Sequence, residues 1–218
     1  MRDITPPPPA AVATPADLSG KLLTAADFER AAAEINVPVA AVRAAAETES
    51  HGSGFLSDGT TPKTLFEAQW FHSLTGGKFH ATHPAISAAR WDRSLYATGR
   101  DADERGFNEH KRLQLAVSCD RNAALQAASW GKFQIMGFNW RIAGCASLQD
   151  FVNAMYRSEG AHLDCFINVI RHMRLDDEMR EQRWGDFAFI YNGPGYKQNN
   201  YAGKMAAAFA KFSQGSAA

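Results

Sequence analysis

The sequence predicts a mainly helical α+β domain in which one small β-hairpin stands beside a cleft. Apolar residues recur at spacings of three and four through most of the chain from Leu22 onward, the period of helices with one buried face. A single segment, GFLSDGTTPKTLFE (54–67), instead sets apolar pairs on either side of a turn-rich centre, which is a hairpin signal. The 218 residues, 45% of them hydrophobic, suffice for one core, and no internal repeat divides them.

The elements follow in order. Residues 1–20, MRDITPPPPAAVATPADLSG, are Pro/Ala-rich and lack helical periodicity, so they read as a flexible or polyproline-like arm. The domain spans 21–213, and 214–218 form a short disordered tail. Thr24 and Asp27 make a capping-box start for TAADFERAAAEI. Pro38 stands where a first helical position falls, and VAAVRAAAETE carries a second helix to Glu49 before Gly52 and Gly54 end it. The hairpin follows, with Asp58-Gly59 in its turn. AQWFHSLTGG is a short helix stopped by Gly76 and Gly77. Residues 78–108 have weak periodicity and read as a long, partly irregular excursion of the kind that lines a cleft. HKRLQLAVSCDRNAALQAAS gives one or two helices and SLQDFVNAMYRSEGAHLDCFINVIRHM a long helical stretch. EQRWGDFAFIYN and NYAGKMAAAFAKF complete the domain.

Composition excludes several classes. Lys+Arg and Asp+Glu balance at 23 each, so no basic excess points to nucleic acid. Mixed surfaces of this kind suit neutral substrates such as sugars. Cys119, Cys145 and Cys165 are odd in number and contain no CxxC, which argues against a disulfide framework or a zinc ribbon and for free thiols in a reducing cytoplasm. His80 and His83 have metal-compatible spacing but no third ligand, so no metal and no cofactor are expected. No GxSxG, P-loop or GxGxxG occurs. Neither a signal-peptide h-region nor 18 consecutive apolar residues are present, so the reading is a cytoplasmic protein with no stable membrane association.

Four stretches can carry chemistry. In ETESHGSGF (47–55), Glu49 sits on the last turn of an alanine-rich helix, where the negative dipole end disfavours an ionised carboxylate. Gly52 and Gly54 let backbone approach a ligand, and partial desolvation raises a carboxyl pKa towards what a general acid needs. A solvated helix-end glutamate is the bland alternative, and Glu47, on a different face, is the rival acid. In TLFEAQW, Glu67 is either a helix-start carboxylate favoured by the dipole or the second member of a carboxylate pair across a groove. Asp58 competes for that role but already has a turn to explain it, and Thr64 is a further polar group on the hairpin. In SWGKFQIMG (129–137), Gln134 is one amide in an apolar run, hence a core hydrogen-bonding group or a substrate contact; Trp130 reads as core. In IYNGPGY (190–196), Tyr191 and Tyr196 flank a turn, which is a sugar-binding device or an ordinary loop.

Taken in order, ESHGSGF, DGTTPKTLFEAQWF, SWGKFQIMG and YNGPGYKQNNY resemble the motifs of phage-type N-acetylmuramidases, the peptidoglycan-degrading catalytic domains of endolysins. More distantly the chain is similar to goose-type lysozymes and soluble lytic transglycosylases. The resemblance covers about residues 22–213. It implies a lysozyme-like helical domain with its hairpin beside the active-site cleft. It also implies that Glu49 is the general acid, that Gln134, Tyr191 and Asn192 line the saccharide groove, and that Glu67, in the LFE box, is the second carboxylate. Glu47 and the additional threonine at Thr60-Thr61 depart from the pattern and leave that second carboxylate open between Glu67, Asp58 and none.

The implied activity is cleavage of the β-1,4 bond between N-acetylmuramic acid and N-acetylglucosamine, with cell lysis as the outcome. The alternatives are a lytic transglycosylase giving 1,6-anhydro products and a non-catalytic wall-binding module. The implied partner is bacterial peptidoglycan, with the enzyme a monomer. A holin would release it from the host cytoplasm to act in the periplasm once the membrane is permeabilised.

Overall fold

The computed structural model describes residues 21–50, 52–193 and 200–214; the arm at 1–20 and residues 215–218 lie outside the described residues. The architecture is mainly α with one small antiparallel sheet, as the sequence reading expects. α1 (Ala25–Ile35) starts on the anticipated capping box, in which Thr24 and Asp27 each bond the other's backbone amide. α2 (Val39–Glu49) follows Pro38 and buries Ala40, Ala41, Ala44, Ala45 and Ala46. Those small side chains let α1 and α10 (Tyr201–Gln214) lie close along it, because interhelical distance is set by the residues at the contact.

β1 (Thr64–Phe66) does not pair back on Phe55-Leu56. Residues 54–63 close as a tight loop through the Phe55–Pro62 bridge, with the Leu56 amide donating to the Thr61 carbonyl at 2.8 Å. β1 pairs instead with β2 (Ala128–Trp130), register Leu65 to Ser129, and β2 pairs with β3 (Ile135–Met136). The motif SWGKFQIM is therefore the tight hairpin of a three-stranded sheet in the order β1-β2-β3. Three residues of β1 gain a ladder from β2 that the short loop could not supply.

α3 (Ala68–Leu74) is followed by the irregular excursion, which contains one 3-10 turn at Arg93–Leu95. The excursion ends earlier than its weak periodicity suggests. α4 (Ala102–Cys119) begins at Asp101, whose carboxylate accepts the Glu104 amide at 2.8 Å, and Asp103 and Glu104 favour the positive helix end. α5 (Arg121–Gln126) leads into β2. The stretch 147–173 is two helices, α6 (Leu148–Arg157) and α7 (Glu159–Met173), because Ser158 turns extended and caps α7 through the Ala161 amide at 3.2 Å. α8 (Asp176–Arg180), which the sequence reading lacks, and α9 (Trp184–Asn192) follow. The core gathers around Phe66, Phe71, Trp130, Phe151, Phe166 and Phe187, all 0–1% exposed. Trp130 is core, as expected, and its indole N–H donates to the Leu125 carbonyl at 3.1 Å.

Candidate functional site

α2 ends on Glu49, half-buried, at a cleft of about 800 Å³. The cleft runs between the loop after α2, strand β1 and the β2–β3 turn on one side, and residues 93–109 on the other. Glu47 points elsewhere. It pairs with Lys211 at 2.8 Å on the outer surface, the two side chains 47% and 62% exposed, so helical direction sends the two glutamates to different faces. Tyr191 on α9 and Tyr201 on α10 lie near Glu49, but neither is among the described residues that line the cleft, and Tyr191 packs against the core. Burial raises both phenol pKa values, and the charge of Glu49 raises each further, which places the carboxylate within electrostatic reach of both rings. Tyr191 is held by Phe187 (5.7 Å, stacked) and by the edge of Phe166 (5.6 Å). Asn192 is the last residue of α9; its side chain, and Tyr196 with the rest of 194–199, lie outside the described residues.

Gln134 lies opposite, exposed in the β2–β3 turn and lining the cleft. Its φ of +48° is left-handed, a conformation that costs a non-glycine residue free energy and persists where its surroundings enforce it. The side chain supplies the enforcement: Nε2 donates to the Gly131 carbonyl and Oε1 accepts from Ser129 Oγ, both at 2.8 Å. One amide hydrogen and one lone pair remain for a ligand. The turn is fixed from below as well. Gly131 has φ +69°, and a Cβ there would sit 2.9 Å from His162 Nδ1 and from Met155 Sδ.

Thr64 on β1 lines the same cleft. It is 7% exposed, and its hydroxyl has no hydrogen-bond partner among the described residues. A buried hydroxyl left unpaired costs about 1–3 kcal/mol.

Glu67 caps α3 by position without a side-chain cap bond. It is outside the set of residues that line the cleft. Its carboxylate instead accepts from Gln69 Nε2 (2.8 Å) and from the Tyr96 hydroxyl (2.8 and 3.0 Å), and Tyr96 does line the cleft. Burial, then the bond to Glu67, pushes the Tyr96 pKa up to about 12, so Tyr96 is a neutral donor. Asp58 is a turn residue: it accepts from the Thr60 and Thr61 amides at 3.0 and 2.9 Å and from the Thr61 hydroxyl. Burial alone would raise its pKa, but these bonds outweigh it and hold the carboxyl below the usual range. The additional threonine of the sequence thus serves the turn.

Sequence reasoning missed two buried glutamates. Glu109 on α4, 4% exposed, borders the cleft but is committed to Arg112 (2.8 and 2.9 Å) and to the Phe66 and Ala97 amides. Glu159, 2% exposed, accepts from the Gly54 amide at 2.6 Å and the Leu23 amide at 3.2 Å and pairs with Lys132 at 3.4 Å. It ties the ESHGSGF loop to α7, so the segment after Glu49 is positioned by a carboxylate more than a hundred residues away. Only the SEG cap at Ser158 signalled it. Cys145 and Cys165 are free thiols with sulfurs 3.9 Å apart, and Cys119 is also free. His80 is engaged with the Ser87 carbonyl and His83 with Thr82. No group of three metal-capable side chains occurs among the described residues.

A family model described as N-acetylmuramidase matches residues 38–213. The crystal structure of the Burkholderia AP3 phage endolysin is similar at 36% identity with a TM-score of 0.77, over 90% of this chain and 72% of that one. No curated protein matches. The family match spans every element from α2 to α10, including Glu49, Glu67, Gln134 and Tyr191, and on that ground the chain belongs to the N-acetylmuramidase family.

Proposed function

We propose that the protein is a peptidoglycan hydrolase that cleaves the β-1,4 bond between N-acetylmuramic acid and N-acetylglucosamine, with Glu49 as general acid. The observation that carries this reading is the placement of Glu49: a carboxyl at a helix C-terminus, half-buried, facing a cleft and with two tyrosines near it. A carboxyl in that position meets the negative end of the helix dipole, and a proton donor to the leaving glycosidic oxygen is the role this reading gives it. Gln134, Tyr191 and Asn192 are the saccharide contacts in this reading, Gln134 offering its remaining amide hydrogen. The family match and the endolysin neighbour support peptidoglycan as the substrate.

Glu67 enters as the second acidic group. Its hydrogen bonds to Tyr96 OH give it a route to the cleft through that hydroxyl, so its role is to position Tyr96 and, through it, the attacking water. The protein acts as a monomer, released from the host cytoplasm by a holin. No described helix is long and apolar enough to cross a membrane.

One observation favours a second reading. The carboxylates that line the cleft are Glu49 and Glu109, and Glu109 is neutralised by Arg112. A lytic transglycosylase needs one carboxyl, as acid and then base, with the muramic 6-hydroxyl as nucleophile. Mass spectrometry of the muropeptides decides: hydrolysis leaves reducing muramic ends, whereas 1,6-anhydro ends overturn the hydrolase reading in favour of transglycosylation. Absence of both from digests of purified sacculi would leave the wall-binding module.

A further inference from the structure

The chain is net neutral, yet its cleft is not. Among the described residues, Lys63, Arg93, Arg105 and Lys132 line it with Glu49 and Glu109; Glu109 is paired with Arg112 at 2.8 Å and Lys132 with the buried Glu159 at 3.4 Å, which leaves the two arginines as its exposed cations. Arg93, on the 3-10 turn, and Arg105, on the first turns of α4, stand on one wall, exposed. Neither makes an ion pair or a side-chain hydrogen bond among the described residues, and the Arg105 backbone and side chain pack against Gly99. Lys63 and Lys132 face them from the β1 and β2–β3 side. Burial first, and the nearby Lys132 charge second, hold the Lys63 amine below the usual lysine value. Lys132 is partly satisfied by the Gly52 carbonyl at 2.6 Å and by Glu159.

Acetamido sugars are neutral and are read by hydroxyls, amides and aromatic faces; they give no reason to gather like charges in one groove, which costs repulsion. The anions of a peptide-bearing glycan are the carboxylates of the peptide attached to the muramic lactyl group. Resting on the proposed muramidase reading, we propose that Arg93 and Arg105 form a cationic subsite that takes the stem-peptide carboxylates, so that the enzyme prefers peptide-substituted glycan to uncharged glycan. Planar guanidinium groups match carboxylates in geometry as well as charge. Complementary charge of this kind also speeds encounter, which makes the effect salt-dependent.

The test compares three substrates: native sacculi, sacculi whose peptide carboxylates are amidated with carbodiimide and excess ammonia, and amidase-denuded glycan, which keeps only the lactyl carboxylate. The wild-type protein is expected to release sugar ends roughly three- to tenfold faster from native than from amidated sacculi, the gain from two exposed pairs, with the advantage shrinking in added salt. In the double variant Arg93→Gln/Arg105→Gln the ratio falls to about one, judged against that same pair of exposed contacts. Equal wild-type rates on native and amidated sacculi overturn the subsite, as does an unchanged ratio in the double variant. Denuded glycan cleaved as fast as native sacculi assigns the arginines to the lactyl carboxylate and overturns the stem-peptide assignment. Cosedimentation of both proteins with native and amidated sacculi reads the same preference without chemistry. If no new sugar ends form on any substrate, the muramidase reading fails, while retention on native over amidated sacculi, lost in the double variant, still decides the subsite.

Discussion

Glu49→Gln is the most informative single change. Glutamine keeps the shape and removes the proton that the leaving oxygen needs. A positioned proton donor contributes roughly 10²–10⁴ in rate, which at about 1.36 kcal/mol per decade is ~2.7–5.4 kcal/mol of barrier. The fold should tolerate the change, because Glu49 is the last residue of α2 and the buried alanines behind it carry the packing against α1 and α10. Glutamine also removes a mismatch with the helix dipole and keeps the length and shape of the side chain, so the melting curve should remain that of a folded protein. The assay is release of new sugar ends from purified sacculi, with a melting curve on the same sample. An independent readout comes from the tyrosines. Glu49 raises the pKa of Tyr201 after burial does, so an alkaline absorbance titration of the variant should show that tyrosine ionising at lower pH. Glu47→Gln is the control: it breaks only the exposed pair with Lys211, worth about 0–1 kcal/mol, and should leave activity alone. A Glu49→Gln rate within a few-fold of wild type, with the tyrosine shift present, would refute the assignment of the acid.

Other perturbations test the surrounding shell. Thr64→Val removes a buried hydroxyl that has no partner among the described residues, so the melting temperature should hold or rise and activity should persist; a clear fall in melting temperature would show that the hydroxyl is paired in the folded protein. Gly137→Ala should be severe, because its Cβ would clash with the Leu125 carbonyl oxygen and lie 2.9 Å from Gln126 Cα; a loss of at least about 1–3 kcal/mol is expected in chemical denaturation, and a neutral result would mean that the contact between α5 and the 3-10 turn at Gly137–Asn139 gives way easily. His110 and His162 are buried, which lowers both pKa values, although the Pro62 and Met155 carbonyls pull the other way. The sign follows from proton binding: below about pH 6.5 the unfolded chain takes up protons that the folded one refuses, so this stability is complete above that pH and drains as pH falls towards the depressed folded values, by up to about 1.4 kcal/mol per pH unit for each histidine. Melting temperatures measured between pH 7.5 and 5 should decline accordingly, and imidazole resonances of both residues that titrate near pH 6.5 in the folded protein would contradict it.

Much of the chain could be read in one dimension. The capping box at Thr24-Asp27, Pro38 at the head of α2 and the helical period of the second half are local signals, settled within a turn or two, and the helices form where those signals place them. The place of Glu49 at the end of α2 was legible for the same reason: a carboxylate on the last turn of an apolar helix conflicts with its own local electrostatics, and such conflicts are visible without a fold. What tertiary structure decided were pairings between distant segments. Nothing near Thr64–Phe66 indicates that its ladder partner is Ala128–Trp130, because three-residue strands carry no register information of their own. Nothing near Gly54 indicates that Glu159 will hold its amide, nor near Glu67 that Tyr96 will separate it from the cleft. Which glutamate faces the cleft, which is spent on Arg112 and which pins a loop depends on burial and on partners supplied across the fold. Residue type and local spacing specify the helices, whereas the roles of the carboxylates arise only when the whole core closes around them.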